Sequence, residues 1–510
     1  MSPEAKPRLL IFIVAYNAEK TIEKVLSRIP SSLRDSYDTE VLVIDDSSRD
    51  ATFARSHAAS RASGGPFPIT ALFNPVNQGY GGNQKLGYHY AMEQGFDFVA
   101  LIHGDGQYAP ERLPALLEPL RRGDAAAVFG SRMMESSAAL RGGMPLYKFV
   151  GNRILTFVEN KLLGSSLSEF HSGYRIYSTR ALAAIPFDRN DNGFSFDTDI
   201  IIQLLTAKQK IVELPIPTYY GDEICYVNGT KYAGEVVSAA LKASMQKLGL
   251  FYDRKYDCAP HDYSPYQPKL TWPSPHTWAA EYVRPGSRVL DIGCAGGYVA
   301  GLLAGSKQCV VDGIDSVAAS GAGSDAGLNE FYLHDLNAGL PRIDYSRYDY
   351  IFLLDVIEHL SRPEAFLDEL RAAVAANPRV EVIISTANVA FLIPRLMLFL
   401  GQFNYGKRGI LDLTHTRLFT FRSFQRLVQQ SGFDVVQTRG VPGPFPLALG
   451  DNAFSRFLVS VNQPLISVLR GLFSYQIFLR IRPQPTLTAL LQSAREESQR
   501  RAVRIESSGS

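Results

Sequence analysis

Cysteine is scarce: four residues in 510, Cys225, Cys258, Cys294 and Cys309. They lie far apart and lack metal-ligand spacing, which argues for a reducing, cytoplasmic compartment over a disulfide framework. An excess of one charge is also missing. Lys plus Arg number 52 against 50 for Asp plus Glu, a formal net charge of +2, so no basic face for nucleic acid is implied. No stretch approaches 18 uninterrupted apolar residues, and no membrane-spanning helix is expected. The opening "MSPEAKPRLLIFIVAYN" lacks a signal-peptide layout, because its apolar run reads as a short strand followed by Asn17.

What the chain does have is alternation. "RLLIFIVAYN", "TEVLVIDDSS", "PITALFN", "FDFVALIHGD" and "AAAVFGS" are short apolar runs with polar ends, separated by helical patterns. They predict a largely parallel sheet. A second series begins at "SRVLDIGCAGGYVAGLLA" and continues through "QCVVDGIDS", "YDYIFLLDVIEHL", "RVEVIISTAN" and "GFDVVQT". The fold class is therefore α/β, with two doubly wound, Rossmann-like domains. The expected boundaries are 1–250, a Pro- and Tyr-rich linker at 251–275, a second domain at 276–445, an apolar helical segment at 446–494 and a disordered tail at 495–510.

In the first series, strand ends carry Asn17, the pair Asp45–Asp46, and Asp105 with Gln107. In a parallel sheet such tips gather on one edge, where ligands bind. A carboxylate there can accept from a base or ribose, and another can hold Mg²⁺ or Mn²⁺ against a diphosphate. "NQGYGGNQKLGYHYAMEQG" adds glycines that let backbone approach a ligand and Lys85 near a helix start. It is not a Walker loop.

The order of these pieces resembles the family-two glycosyltransferases of the GT-A fold, in particular the dolichyl-phosphate mannose synthase-like branch. "VAYNAEKTI", "VIDDSSRDAT", "NQGYGGNQKLG" and "HGDGQYAPE" carry the resemblance over roughly residues 7 to 245. It implies that Ala15, Asn17 and Asp46 line the nucleotide pocket, with Lys85 beside it, and that Asp105 and Gln107 hold the metal and diphosphate. His103 stands where many relatives have an Asp; either it is a ligand or water fills its place. "HSGYRIYS" and "GFSFDTDIIIQLL" match acceptor-side segments. A sugar hydroxyl acceptor needs a base, for which Asp197 and Asp199 are candidates, whereas a phosphate acceptor is already ionised. Arg132 and Arg175 are candidates to hold an anionic acceptor.

In the second series, "RVLDIGCAGGYVA" is a strand, a glycine-rich turn and a helix led by Asp291. It resembles motif I of the class I S-adenosylmethionine-dependent methyltransferases, with Ala295 in place of a frequent Gly. The resemblance implies cofactor contacts from Asp291, Gly293, Gly297, Asp315, Asp335 and Asp355. His359 and His415 are candidate general bases for methyl transfer. The apolar stretches after residue 390 are read as core helices or, for the second, as a surface that touches the membrane.

Together these readings describe a bifunctional enzyme that uses a nucleotide sugar, a divalent metal and S-adenosylmethionine. It would act on a glycan or polyprenyl-phosphate acceptor in surface polysaccharide or glycolipid assembly, in the cytoplasm or at the inner face of the membrane. In the alternative, the methyltransferase-like half is a non-catalytic binding or scaffolding module.

Overall fold

Each apolar run with a polar end is a strand in the computed structural model, which describes residues 6–62, 64–217, 228–247, 252–258, 272–317, 327–375, 377–485, 491 and 495. Two compact units form, one of residues 1–247 with 251–262, the other of 263–510 with 248–250. Most of the expected linker, nearly all of the tail, and Cys225 lie outside the described residues.

The first unit holds seven strands: β1 (Arg8–Ala15), β2 (Asp38–Asp45), β3 (Ile69–Phe73), β4 (Phe98–His103), β5 (Ala127–Ser131), β6 (Arg175–Ser178) and β7 (Ile211–Pro215). Their order is β3-β2-β1-β4-β6-β5-β7, with β6 antiparallel to both neighbours. β1 is apolar at every position after Arg8 because both its faces are covered, as in parallel sheets generally. Leu10 and Phe12 enter one core with Phe196; Leu9, Ile11 and Ile13 enter the other with Val25.

The glycine-rich motif is not a loop. Helix Gly79–Glu93 begins at its first glycine. A Cβ at Gly87 would lie 2.1 Å from the Phe12 ring, and one at Gly81 2.6 Å from Phe196. Gly81 and Gly87 permit close packing of this helix on the sheet and on its neighbour.

The second unit repeats the architecture with β8 (Arg288–Ile292), β9 (Val310–Asp315), β10 (Phe331–Leu333), β11 (Tyr350–Leu354), β12 (Glu381–Ala387), β13 (Phe433–Val441) and β14 (Gln476–Pro483). The order is β10-β9-β8-β11-β12-β14-β13, and β14 runs antiparallel between β12 and β13. The segment 446–494 is therefore not wholly helical. The first half of "QIFLRIRP", Gln476 to Leu479, is covered on both faces, so it shows no alternation to separate it from a helix. Before it, helix Ala453–Val468 leaves Phe454, Phe457, Val461 and Val468 exposed. Among the described residues no helix is long and apolar enough to cross a membrane.

Candidate active sites

The register of β1 with its neighbours brings three strand tips together, since Ala15 pairs with Asp45 and Val14 with His103. Ala15 is buried at its tip. Asn17 follows in the left-handed region (φ 50°), where its N–H donates to Ser48 Oγ at 2.8 Å and its side-chain oxygen accepts from the Arg49 N–H at 3.1 Å. Asp46 is buried, and its carboxylate accepts from the Asn74 amide and from the N–H groups of Gln78 and Gly79 at 2.8–3.0 Å. These bonds anchor the start of the glycine-rich helix. Its neighbour Asp45 has the buried oxygen left without a partner, and burial pushes its pKa up.

Asp105 is exposed just past the end of β4, and one of its oxygens accepts the Gln107 N–H at 2.9 Å. These two expected metal and diphosphate residues thus stand together. Beside them His103 packs edge-on against Tyr80 and Tyr108, with Nε2 3.2 Å from the Tyr80 hydroxyl. That hydroxyl donates to Asp197 at 2.9 Å, so it can only accept from His103, whose Nε2 then carries the hydrogen. Burial lowers the His103 pKa although Asp105 opposes it, and the neutral ring keeps its lone pair on Nδ1. No group of three or more His, Cys, Asp or Glu side chains among the described residues could hold a metal ion.

Tyr80 was hidden within the glycine motif; its position one residue after the helix start is the one available signal. It joins His103 to Asp197, which also accepts from Gln84 at 3.3 Å and lies 3.7 Å from the Arg175 guanidinium. Asp199 is wholly buried and accepts from Lys255 at 2.9 Å, Tyr256 at 2.5 Å and the Asp191 N–H. As a general base it is corrected: its oxygens tie helix Phe196–Thr206 to residues 255 and 256. Arg175, 1% exposed, gives its N–H groups to the carbonyls of Phe170, Ser172 and Asp197, so it braces this wall and does not reach an acceptor. Arg132 is buried against Glu169 and donates to the His171 carbonyl, which removes it likewise as an open anion clamp. Lys85 bonds to the Asn190 carbonyl and to Asn192 Oδ1 at 2.7 Å, fixing that loop.

In the second unit, the turn after β8 is built on positive φ angles at Gly293 (79°), Ala295 (46°) and Gly297 (73°). A side chain at Gly293 would meet Val356 at 2.4 Å. Ala295 carries a left-handed cost of about 1 kcal/mol, and its N–H donates to Asp315 at 2.8 Å. The other Asp315 oxygen accepts the Val317 N–H at 3.1 Å. Asp291 lies buried below, and Asp335 is exposed past β10 with one oxygen on the Asn337 N–H. Asp355, however, accepts from Ser385 at 2.7 Å and Gln476 at 2.5 Å. It pins β11 to β12 and β14.

The two candidate histidines meet: the His359 and His415 rings lie 4.8 Å apart, edge to face. Each points Nδ1 at a carbonyl, Thr414 at 3.3 Å and Ile410 at 2.9 Å, so in the neutral rings Nε2 is the basic nitrogen. Burial lowers the His415 pKa. Next to His359, Glu358 is buried with one oxygen unpartnered; burial and then Asp355 push its pKa up. The acid in "IEHL" was the overlooked signal.

Burial, and then Asp315, pushes the Asp291 carboxyl up to about 7. Its folded-state pKa thus exceeds the unfolded value of about 3.9. The stability it contributes is complete below about pH 4 and is lost as pH rises through about 7. At pH 8, Asp291→Asn should melt above the parent protein, and the gap should shrink towards pH 5. A gap independent of pH would refute the assignment.

Residues 10–185 match the family Glycosyl transferase family 2, and residues 270–438 match the family Methyltransferase domain. The chain thus carries a glycosyl transferase family 2 domain followed by a methyltransferase domain. The glycosyltransferase unit is 29% identical over 235 residues to an undecaprenyl-phosphate mannosyltransferase of Micrococcus luteus, covering 46% of this chain and 91% of that one. It is 27% identical to a UDP-N-acetylglucosamine–dolichyl-phosphate N-acetylglucosaminyltransferase of Methanococcus voltae, covering 42% and 86%. Among solved structures, glucosyl-3-phosphoglycerate synthase from Mycobacterium tuberculosis, in complex with Mn²⁺, UDP and glucosyl-3-phosphoglycerate, is 19% identical with a TM-score of 0.36, covering 49% and 82%. Both sequence resemblances hold, and with them the two enzyme classes. The methyltransferase family implies S-adenosylmethionine as its donor.

Proposed function

We propose that the glycosyltransferase unit moves a sugar from a nucleoside diphosphate to a polyprenyl phosphate. The observation that carries this is the state of the two carboxylates that a hydroxyl acceptor would need. Asp199 is sealed by three donors, and Asp197 is 6% exposed and holds Tyr80 and Gln84. An acceptor phosphate needs neither, because its oxygen is already ionised. That oxygen attacks the anomeric carbon, the bond to the diphosphate breaks, and no proton changes hands. The names of the two polyprenyl-phosphate relatives support the same acceptor class. Asp105 and His103 would hold the divalent ion, which supplies charge stabilisation at the diphosphate leaving group. Tyr80 and Asp197 keep the His103 ring in one tautomer and orientation, and Asp45 and Asn17 form the nucleotide side.

The methyltransferase unit would bind S-adenosylmethionine over the Gly293–Gly297 turn, with Asp315 on the ribose hydroxyls and Asp335 near the base. Bound there, S-adenosylmethionine would supply the methyl group to an oxygen or nitrogen of the acceptor, whose proton Nε2 of His359 or His415 would take. Two transferases on one chain would serve one glycolipid or polysaccharide at the inner face of the membrane. The exposed apolar side of helix Ala453–Val468 is the C-terminal surface available for peripheral contact there.

Incubation with nucleotide sugars, Mn²⁺ and undecaprenyl phosphate should yield a lipid-linked sugar phosphate. With that acceptor, Asp197→Asn should lower kcat by less than about tenfold, whereas loss of a general base costs about a hundredfold or more. A larger loss, or transfer only to glycan hydroxyls, would overturn the phosphate-acceptor reading.

A further inference from the structure

Helix Leu146–Leu163 has two unlike sides. Its inner side works for the acceptor wall: Asn152 donates to Glu169 at 2.9 Å, and Glu159 lies 3.2 Å from His171 and accepts from Thr198. Its outer side exposes Leu146, Tyr147, Val150, Ile154 and Phe157, between 46% and 72% of each. The spacing from 146 through 150, 154 and 157 to Lys161 keeps these residues on one stripe. Scattered apolar residues on a surface are ordinary, but a continuous stripe on one helix is not.

The charges on this helix are as one-sided as its apolar residues. Its basic residues are Lys148, Arg153 and Lys161, and its one acid, Glu159, is fully buried. Lys161 lies over the Phe157 ring, and the exposed Arg141 precedes the helix. The exposed charged residues of this helix, Arg153 and Lys161, are both cations, and an apolar stripe flanked by them complements a surface of acyl chains under anionic headgroups. A protein partner recognised by an apolar stripe would not require that the exposed charges of the helix be positive.

We infer that the outer face of helix Leu146–Leu163 lies on an anionic lipid bilayer and brings the acceptor wall to the membrane surface. The inference deepens the polyprenyl-phosphate reading and rests on it for its purpose, but adsorption to lipid requires no sugar transfer. Each cation at such a surface adds about fivefold to affinity. Burial of Ile154 and Phe157 in the interface adds more.

The test is cosedimentation of the full chain with vesicles of phosphatidylcholine alone or with phosphatidylglycerol. The parent protein should bind the anionic vesicles at least about tenfold more tightly than the neutral ones. Ile154→Glu combined with Phe157→Glu should weaken that binding by at least about tenfold, with a melting temperature within about 2 °C of the parent because both sites are exposed. Arg153→Glu with Lys161→Glu should remove the preference for anionic lipid. Failure of the parent to bind, or undiminished binding by both variants, would overturn the inference. So would a large fall in melting temperature for the apolar variant, which would mean that another part of the chain covers the stripe. A parent dimer that the same variant splits would show that a second copy covers it, and would overturn it too. Vesicle binding lost in the variant, combined with transfer only to soluble glycans, would sink the acceptor reading and leave this one standing.

Discussion

Replacing Asp105 by Ala is expected to lower sugar transfer at least about a thousandfold while leaving S-adenosylmethionine binding unchanged. Asp105 is exposed just past β4, and its one fold-related bond is the turn to the Gln107 N–H, so the variant should fold normally. What it loses is the carboxylate proposed to hold the ion at the leaving diphosphate. Removing a ligand to the charge-stabilising ion withdraws several kcal/mol from the transition state, and about 4 kcal/mol corresponds to a thousandfold. His103→Ala should cost less, because the carboxylate remains. Transfer can be followed by release of nucleoside diphosphate with Mg²⁺ or Mn²⁺. Normal turnover by Asp105→Ala, or turnover of the parent protein in excess chelator, would remove Asp105 from the metal.

Asp315→Ala should weaken S-adenosylmethionine binding about a hundredfold and leave sugar transfer intact. The carboxylate has two tasks. In the proposed site it would accept the ribose hydroxyls, and hydrogen bonds to a charged acceptor contribute about 1.5–3 kcal/mol. It also holds the Ala295 N–H at 2.8 Å, which keeps the turn in a conformation that alanine adopts at a cost. Asp315→Asn retains one acceptor oxygen and should lose only about tenfold. Titration calorimetry separates the two variants, and unchanged affinity in Asp315→Ala would mean that the donor sits elsewhere or is not bound.

Much of both folds was readable because buried parallel strands are continuous apolar runs and their polar ends mark one edge. "RLLIFIVA" followed by Asn17, and "FVALIH" followed by Asp105, show this plainly. Partners were not readable. Asp46, Asp199, Arg175 and Asp355 are the residue types expected of ligand contacts, yet each is satisfied by groups distant in sequence, such as Gln476 for Asp355. Only the folded chain shows which carboxylates remain open. Tyr80 was missed for the converse reason: a tyrosine among glycines carries no chemical signature until His103 and Asp197 meet at its hydroxyl. β14 escaped because its first half, covered on both faces, has no period.

The place of β14 also sets a timetable for synthesis. β12 ends at Ala387, and its partner across the sheet begins at Gln476, about 90 residues later. At about 5–20 residues per second on the ribosome, the outer edge of β12 waits roughly 5–20 s for its neighbour. During that interval the strand with its apolar run Val382 to Ile384 presents unpaired backbone groups to any passing chain. In the N-terminal sheet the outer edge of β4 waits in the same way for β6, from His103 to Arg175. Nascent chains that end between residues 387 and 476 therefore still carry an open sheet edge.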